Sequence, residues 1–357
     1  MSNSIIKEIN YVKGIAIILV FIGHAATPSF LDRPYNYEFL VQIIYSFHMS
    51  LFFFISGILS YKVLDMNLKE NYLHFIKLKF FRLLVPFFTI SFITNFIIII
   101  FKQLLNDPLS IENLLNMFKT MLLYPENGVM GALWFLYTLF IIIAISPLIT
   151  KLPIKIVLTA SLLLNIFVPQ YKNFLSFSRL SFFLVYFLIG LYFRKYYLDK
   201  KKINFKDMST FKKFIVSILS IMLITFYSYI ITNQINIPKY ILSTLNFLCG
   251  IFGIILIFII IEKIKNLRVL HILSYLGQYS MDIYLLSWFF QISSMVLISI
   301  ILKISNYTIF FISNLLIGSL CIPFSKYFLR KFKIFRFLFF GEIDQPSLHQ
   351  QPTSLNN

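Results

Sequence analysis

Gly14-Ile-Ala-Ile-Ile-Leu-Val-Phe-Ile-Gly23 is an apolar run without a charged residue, and it is the first of ten such runs along the chain. Alone, a run of this length resembles the core of a signal peptide. Nine more follow it with short polar breaks between them, so the first is interpreted as a retained membrane span. The sequence therefore predicts an all-α integral membrane protein, a bundle of about ten transmembrane helices near residues 12–30, 40–61, 80–101, 131–150, 154–169, 178–195, 213–232, 240–261, 279–302 and 306–329.

The composition agrees with this fold class. Of the 357 residues, 59% are hydrophobic and only 13% are charged, and phenylalanine alone occurs 43 times. A soluble domain carries roughly 25% charged residues. The chain therefore lacks the polar surface that a soluble protein of this length needs, and its expected solvent is the lipid bilayer.

The formal charge of +18 is explained by orientation in the membrane rather than by nucleic-acid binding. If both termini lie in the cytoplasm, 24 of the 32 basic residues fall on the cytoplasmic side and seven on the opposite side, with Lys13 at the mouth of the first span. Basic residues favour the cytoplasmic side and its anionic leaflet. We therefore expect cytoplasmic N and C termini, an even number of spans and no nucleic-acid partner.

Two further expectations concern the cysteines and the domain boundary. Cys249 and Cys321 fall inside predicted spans, so they are interpreted as buried thiols rather than as a disulfide or a metal pair. Residues 1–341 are predicted to form one membrane domain, and the polar segment 342–357 is predicted to be a disordered cytoplasmic tail. The loops between spans are too short for an appended soluble domain.

Ionisable side chains inside a membrane span are costly and often functional, and the first span carries a stripe of polar residues. Lys13 and His24 lie about 20° apart around the helix and about 16 Å apart along it, and Asn10 lies about 40° from His24. His48 lies in the second span at a depth compatible with that of His24. Each histidine alone has a structural alternative, a hydrogen bond between helices. Two histidines with a lysine on one stripe favour a site.

Other polar groups near the span ends have both functional and structural interpretations. Lys79 and Arg82 share a helix face and suit the phosphates of a nucleotide-like ligand, but a basic flank at the headgroups explains them too. Trp134 at the start of the fourth span is explained equally well by an interfacial tryptophan belt. Asp282 and Tyr284, at the start of the ninth span, are similarly ambiguous.

Five segments containing these residues resemble, in order, the motifs of the membrane-bound acyltransferase family 3, which includes bacterial sugar O-acetyltransferases. They are Asn10 to His24, Phe47 to Gly57, Lys79-Phe-Phe-Arg82 before Pro86, Gly131-Ala-Leu-Trp134-Phe-Leu, and Leu276 to Leu286. Three positions depart from the family pattern: Asn10 stands where Asp is usual, Lys79 where Arg is usual and Ser287 where His is frequent. These departures bear on substrate preference and on the level of activity.

The resemblance implies a multi-pass enzyme of the bacterial plasma (inner) membrane. It would transfer an acyl group, usually acetyl, from cytoplasmic acyl-CoA to a hydroxyl of a cell-envelope carbohydrate or glycolipid. His24 is the expected general base or covalent acyl relay, assisted by His48. Asn10, Lys13, Lys79 and Arg82 are the expected donor-binding residues, and Trp134 and Tyr284 the expected acceptor-binding ones.

Two other functional classes stay open at this level. A transporter or flippase for a saccharide or small metabolite suits a chain with many helices and few polar groups, but it predicts Gly or Pro breaks at matching places in two halves, which the sequence lacks. A sensory or scaffold member of the same fold is the third possibility. The sequence has no metal-ligand spacing, so no metal is expected, and it predicts neither the acceptor nor the oligomeric state.

Overall fold

A computed structural model describes residues 3–25, 33–66, 68–104, 110–168, 174–198 and 209–343. Within these ranges every regular element is helical, and no strand occurs. The α-helices are α1 (Asn3–Ala25), α2 (Tyr35–Tyr45), α3 (His48–Leu59), α4 (Leu68–Lys79), α5 (Val85–Leu104), α6 (Ile111–Leu123), α7 (Trp134–Ile149), α8 (Ile154–Phe167), α9 (Phe177–Phe193), α10 (Thr210–Thr232), α11 (Lys239–Lys263), α12 (Leu267–Gln278), α13 (Ser280–Met295), α14 (Tyr307–Gly318), α15 (Cys321–Tyr327) and α16 (Lys333–Phe340).

The predicted all-α membrane bundle is confirmed. Eight helical stretches among the described residues are long and apolar enough to cross a bilayer. The two remaining predicted spans correspond to α1, which has 23 residues, and to α8, which has 14 residues. The span at α8 is the shortest of the ten predicted spans. Helix α10 shows why the solvent must be lipid: Phe211, Phe214, Met222 and Phe226 are each more than half exposed, and such a surface is favourable only against acyl chains.

The helix boundaries differ from the predicted ones in three places. The second span is not continuous, because α2 and α3 are separated by a turn at Ser46 and Phe47. The third begins earlier than predicted, because α4 continues into α5 through a π-helical turn, Phe80–Leu84. The first helix begins at Asn3 and is described as far as Ala25, and the rest of predicted span 12–30 lies outside the described residues.

Residues that the charge pattern predicts on one side of the membrane contact each other at one end of the bundle. At the predicted cytoplasmic end, the Lys195 ammonium lies 2.7 Å from the Asp65 carboxylate. At the other end, the Asn233 amide donates to the Tyr35 hydroxyl at 3.1 Å. Each contact joins two segments that are far apart in the sequence and that the prediction places at the same end of the bundle. The contacts are therefore consistent with the predicted order of the spans. Which end faces the cytoplasm stays a prediction.

Cysteine labelling tests that orientation. Lys119 and Lys62 are both exposed, at opposite ends of the predicted topology. Lys119→Cys is expected to react with a membrane-impermeant maleimide added outside cells, and Lys62→Cys only after permeabilisation. The native thiols give little background, because Cys249 and Cys321 are free and fully buried, as predicted. Labelling of Lys119→Cys only from the inside would reverse the topology.

Glycines allow two close helix crossings that set the shape of the core. Where α3 crosses α9, a Cβ on Gly57 would lie 2.0 Å from the Phe187 carbonyl oxygen, and one on Gly190 would lie 2.0 Å from that of Phe54. Small residues at such contacts let backbones approach in membranes, where packing replaces the hydrophobic effect. The rings of Phe53 and Phe183 stack beside this crossing with centroids 4.6 Å apart.

Substitution at this crossing is expected to destabilise the bundle. Gly57→Ala forces α3 away from the backbone of α9 and should cost about 1–3 kcal/mol of folding free energy, as overpacking does elsewhere. The measurement is thermal unfolding in detergent, with Gly128→Ala as the control, because a Cβ there comes no nearer than 3.3 Å to another atom. Equal melting temperatures for Gly57→Ala and the wild type would show that the crossing is loose.

Candidate active site

The break between α2 and α3 places His48 at the first turn of α3. The turn frees the carbonyl of Ile44 from the regular helix pattern, and His48 Nδ1 lies 2.8 Å from that oxygen. Because a carbonyl only accepts hydrogen bonds, Nδ1 must donate, and Nε2 is then the nitrogen able to accept a proton. Local backbone geometry therefore selects the tautomer of this buried imidazole.

His24 and His48 both lie close to one aromatic ring, that of Tyr45. The centroid of the Tyr45 ring is 6.4 Å from that of His24 and 5.1 Å from that of His48. The backbone of α1 is close as well, since a Cβ on Gly23 would lie 2.9 Å from the Tyr45 ring. The structure thus brings the two predicted catalytic histidines together, beside a tyrosine that sequence reasoning did not identify.

Two buried amides fasten the end of α1 that carries His24. Gln291 of α13 donates from Nε2 to the Phe21 carbonyl at 3.2 Å, and Asn314 of α14 donates from Nδ2 to the Ala25 carbonyl at 3.1 Å. Both amides are almost fully buried. Since these bonds lie on both sides of His24 along the helix, they hold the height and rotation of its imidazole.

The opposite half of α1 is held by the second glycine crossing. A Cβ on Gly14 would lie 2.1 Å from the Leu273 carbonyl oxygen of α12, and one on Gly277 would lie 2.0 Å from that of Asn10. The two glycines fit the facing backbones together, so α1 and α12 cannot slide without a clash. This crossing places Asn10 and Lys13 at the same end of the bundle as Arg82.

Lys13, Lys79 and Arg82 form a basic cluster from two helices. The charge of Arg82 lies close enough to repel both lysines. Lys79 also lies over the ring of Phe75, 5.5 Å from its centroid. The side chain of Arg82 is 51% exposed, so it can reach a ligand while the two half-buried lysines line the approach. Three cations this close favour an anionic ligand.

A buried ion-pair network that sequence reasoning missed stands beside Arg82. Arg330 donates from Nε and Nη2 to the two carboxylate oxygens of Asp282 at 2.8 and 2.9 Å, and from Nη1 to Glu342 at 2.8 Å. Ser325 also donates to Asp282 through a short hydrogen bond. Arg82 joins the network, donating to the Phe340 carbonyl at 3.0 Å and lying 3.8 Å from Glu342. A bidentate arginine pair of this kind fixes orientation as well as charge.

This network bears on the predicted tail. The sequence predicts that Glu342 begins the disordered tail 342–357, but its side chain is only 17% exposed and pairs with Arg330. Gly341, with φ of +60°, turns the chain so tightly against the π-helical turn Phe80–Leu84 that a Cβ would lie 1.9 Å from the Phe81 carbonyl oxygen. The packed structure therefore extends through Glu342, and residues 344–357 lie outside the described part of the chain.

Trp134 and Tyr284 are partly buried and pack against the core of the bundle. The Trp134 ring packs against Phe183 with centroids 5.3 Å apart, and the Arg179 guanidinium lies 4.9 Å from it. Tyr284 donates a short hydrogen bond to the carbonyl of Ala132, two residues before Trp134. The Trp134 ring therefore has Arg179 as a neighbour, and its part in acceptor binding stays a prediction.

Most of the chain, including the polar residues of α1 to α13 described above, matches the model of one protein family. The model of acyltransferase family 3, described as an acyltransferase domain, matches residues 6–324. The chain belongs to this family. It is a membrane acyltransferase. No curated protein and no solved structure matches the chain.

The resembling segments of this acyltransferase serve two purposes in the structure. Gly14, Gly57 and Gly277 make close backbone contacts and carry packing, whereas His24, His48, Lys13 and Arg82 are the side chains predicted to carry the polar chemistry. Arg330, Glu342 and Gln291 lay outside the motif-based predictions. A buried acid such as Asp282 was the one signal available, because it needs a cationic partner. Within the described residues, no group of three His, Cys, Asp or Glu side chains is arranged to hold a metal ion.

Proposed function

We propose that this membrane acyltransferase is an O-acetyltransferase of a bacterial plasma membrane that transfers acetyl from cytoplasmic acetyl-CoA to a hydroxyl of a cell-envelope carbohydrate or glycolipid. One observation carries the proposal. Helix α1 has a cationic cluster beside Lys13 at one end and the His24–Tyr45–His48 group at the other, about 16 Å away at the helical rise of 1.5 Å per residue. An acyl-CoA has the matching polarity, with phosphates at one end and a thioester at the other.

The donor occupies the cationic end. Lys13, Lys79 and Arg82 bind the CoA phosphates, with Arg82 supplying the planar fork that suits phosphate oxygens. The Asp282–Arg330–Glu342 network holds Arg82 from behind and leaves part of its guanidinium exposed. The pantetheine arm then follows α1 towards His24, past the polar stripe that begins at Asn10.

The chemistry at the other end is acyl transfer assisted by an imidazole. As general base, His24 takes the proton of the acceptor hydroxyl while the hydroxyl oxygen bonds to the carbonyl carbon of the thioester. CoA leaves as the thiolate and takes the proton from His24. As covalent relay, the His24 nitrogen bonds to the thioester carbonyl carbon and CoA leaves as the thiolate. The acceptor hydroxyl oxygen then takes the acetyl group from the imidazole, and its proton goes to the CoA thiolate. In both routes His48, with its tautomer set by Ile44, orients His24 or moves the proton.

Release of free CoA by purified protein in nanodiscs tests the proposal. Acetyl-CoA is supplied alone and with a membrane glycolipid extract, and a thiol reagent follows CoA. Release that requires the extract and disappears in His24→Ala supports an O-acetyltransferase, and mass spectrometry of the lipids identifies the acceptor. Absence of both CoA binding and CoA release would contradict the proposal and favour a non-enzymatic role such as transport.

A further inference from the structure

One face of α2 carries three polar side chains that lead to the histidines. Glu38, Gln42 and Tyr45 are spaced four and three residues apart and lie within about 60° of one another around the helix; we call them the α2 column. Gln42 donates from Nε2 to one carboxylate oxygen of Glu38 at 2.7 Å, and Arg33 pairs with the other oxygen. Arg33 and Glu38 are close enough for their charges to act on the Tyr45 phenol. The ring of Tyr45 in turn lies beside the rings of both histidines.

The packing of α14 shows from which end of the bundle the α2 column comes. Asn314 of α14 bonds to the Ala25 carbonyl, and four residues later a Cβ on Gly318 would lie 2.8 Å from the Phe21 ring. Helix α14 therefore runs antiparallel to α1, and its first residue, Tyr307, lies about 10 Å beyond Ala25 at 1.5 Å per residue. The first turn of α2 packs on Tyr307, with ring centroids 4.7 Å apart. The α2 column thus starts at the end of the bundle away from the basic cluster.

The α2 column keeps part of its surface accessible, although it belongs to a helical stretch long and apolar enough to span the membrane. The Glu38 side chain is 34% exposed and Tyr45 is 37% exposed, and Gln42 is partly exposed as well. Val41, about 60° from Glu38 around the helix, is buried. Polar side chains in a span are costly against lipid, so they face the bundle interior or a water-filled cavity. We therefore expect the accessible face of the column to line a water-filled crevice beside the core.

We propose that the α2 column binds the acceptor, and that Gln42 and Tyr45 guide the hydroxyl to be acylated towards His24. The inference rests on the proposed function, because it assigns the acceptor side of that reaction. An amide and a phenol both donate and accept hydrogen bonds, as a sugar hydroxyl does. Glu38 and Arg33 neutralise each other, so the column suits an uncharged hydroxylated ring rather than an anionic one, which would need a cation of its own. Donor and acceptor then approach His24 from opposite ends of α1.

Initial rates of CoA release test the two hydrogen-bonding side chains. Gln42→Leu is expected to raise the apparent KM for the glycolipid extract about tenfold and Tyr45→Phe about threefold, as loss of a hydrogen-bonding group does. The KM for acetyl-CoA should stay within about twofold, because the basic cluster lies at the other end of α1. Gln103→Leu is the matched control, since Gln103 is an exposed glutamine of α5, and it should leave both KM values unchanged. An unchanged acceptor KM in both Gln42→Leu and Tyr45→Phe would overturn the site, as would an equal rise of both KM values in Gln42→Leu.

Cysteine accessibility gives a second readout that needs no turnover. A charged methanethiosulfonate reagent reacts with the thiolate, which forms where water reaches the thiol. Gln42→Cys is therefore expected to react at least about tenfold faster than Leu40→Cys, which lies about 160° away around α2 at a similar depth. A large excess of the glycolipid extract should slow the labelling of Gln42→Cys, and the same extract after acid hydrolysis of its sugars should not.

The two readouts separate the site from the reaction. Equal labelling rates for Gln42→Cys and Leu40→Cys, or equal protection by the intact and hydrolysed extracts, would overturn the site. Protection by the intact extract alone, in a protein that binds and releases no CoA, would support the site while contradicting the proposed function. Extract-dependent CoA release with no protection would overturn the site and leave the proposed function standing. Monodisperse elution of each variant confirms that it folds.

Discussion

Replacing His24 by alanine is expected to lower kcat by about 10²–10⁴-fold, the usual contribution of a positioned general base. The backbone on both sides of His24 is held by the Gln291 and Asn314 amides, and neither bond involves the imidazole ring. Removing the ring should therefore leave α1 in place and delete only the chemistry. The measurement is the rate of CoA release at saturating acetyl-CoA and acceptor extract, together with acetyl-CoA affinity, which should not change.

His271→Ala is the matched control, because this histidine is exposed on α12 and belongs to no polar cluster. It should keep the wild-type rate. His48→Ala should lose less activity than His24→Ala, since His48 acts through its neighbour. Full activity in His24→Ala would remove this histidine from the mechanism. Exchange of labelled CoA into acetyl-CoA without acceptor indicates the covalent relay, and its absence indicates the general base.

Replacing Arg82 by alanine is expected to raise the KM for acetyl-CoA by about 10–100-fold, the equivalent of roughly 1.5–3 kcal/mol for a hydrogen bond to a charged group. The chemical step lies at the far end of α1, so kcat at saturating donor should fall much less. Arg82→Lys should recover part of the loss, because it restores the charge but not the planar fork. Initial rates over a range of acetyl-CoA concentrations separate the two parameters.

Arg268→Ala is the control for the loss of a cation at the same end of the bundle, since Arg268 is exposed and lies in the first turn of α12. It should leave the donor KM unchanged. Because Arg82 also contacts Phe340 and Glu342, the melting temperature of Arg82→Ala must be measured alongside its kinetics. A donor KM equal to that of the wild type would show that Arg82 serves the C-terminal segment alone.

Several features of the site could be predicted because they depend on one helix at a time. The stripe from Lys13 to His24 follows from 3.6 residues per turn, and the comparable depth of His48 follows from counting residues along an opposite span. The grouping of charges at the two ends follows from the cost of carrying Lys and Arg across lipid. These arguments need only local geometry and the solvent.

Other features could not be predicted, because their causes lie far apart in the chain. The turn at Ser46 and Phe47 contains no Gly or Pro from which it could be predicted. It nevertheless sets the tautomer of His48. Asp282 and Arg330 are 48 residues apart, and each has an adequate local explanation without the other. Their pairing therefore becomes visible only when α13 and the segment after α15 pack together.

The sequence by itself determined that this protein is an all-α membrane bundle, which residues share its ends and which acyltransferase family it resembles. Those properties follow from apolar runs, from the placement of charge and from residues that lie close together along single helices. Only the tertiary structure decided that Tyr45 lies close to both histidines and that Glu342 packs against Arg330. The physical reason is that each of these depends on contacts between helices, which no single helix encodes.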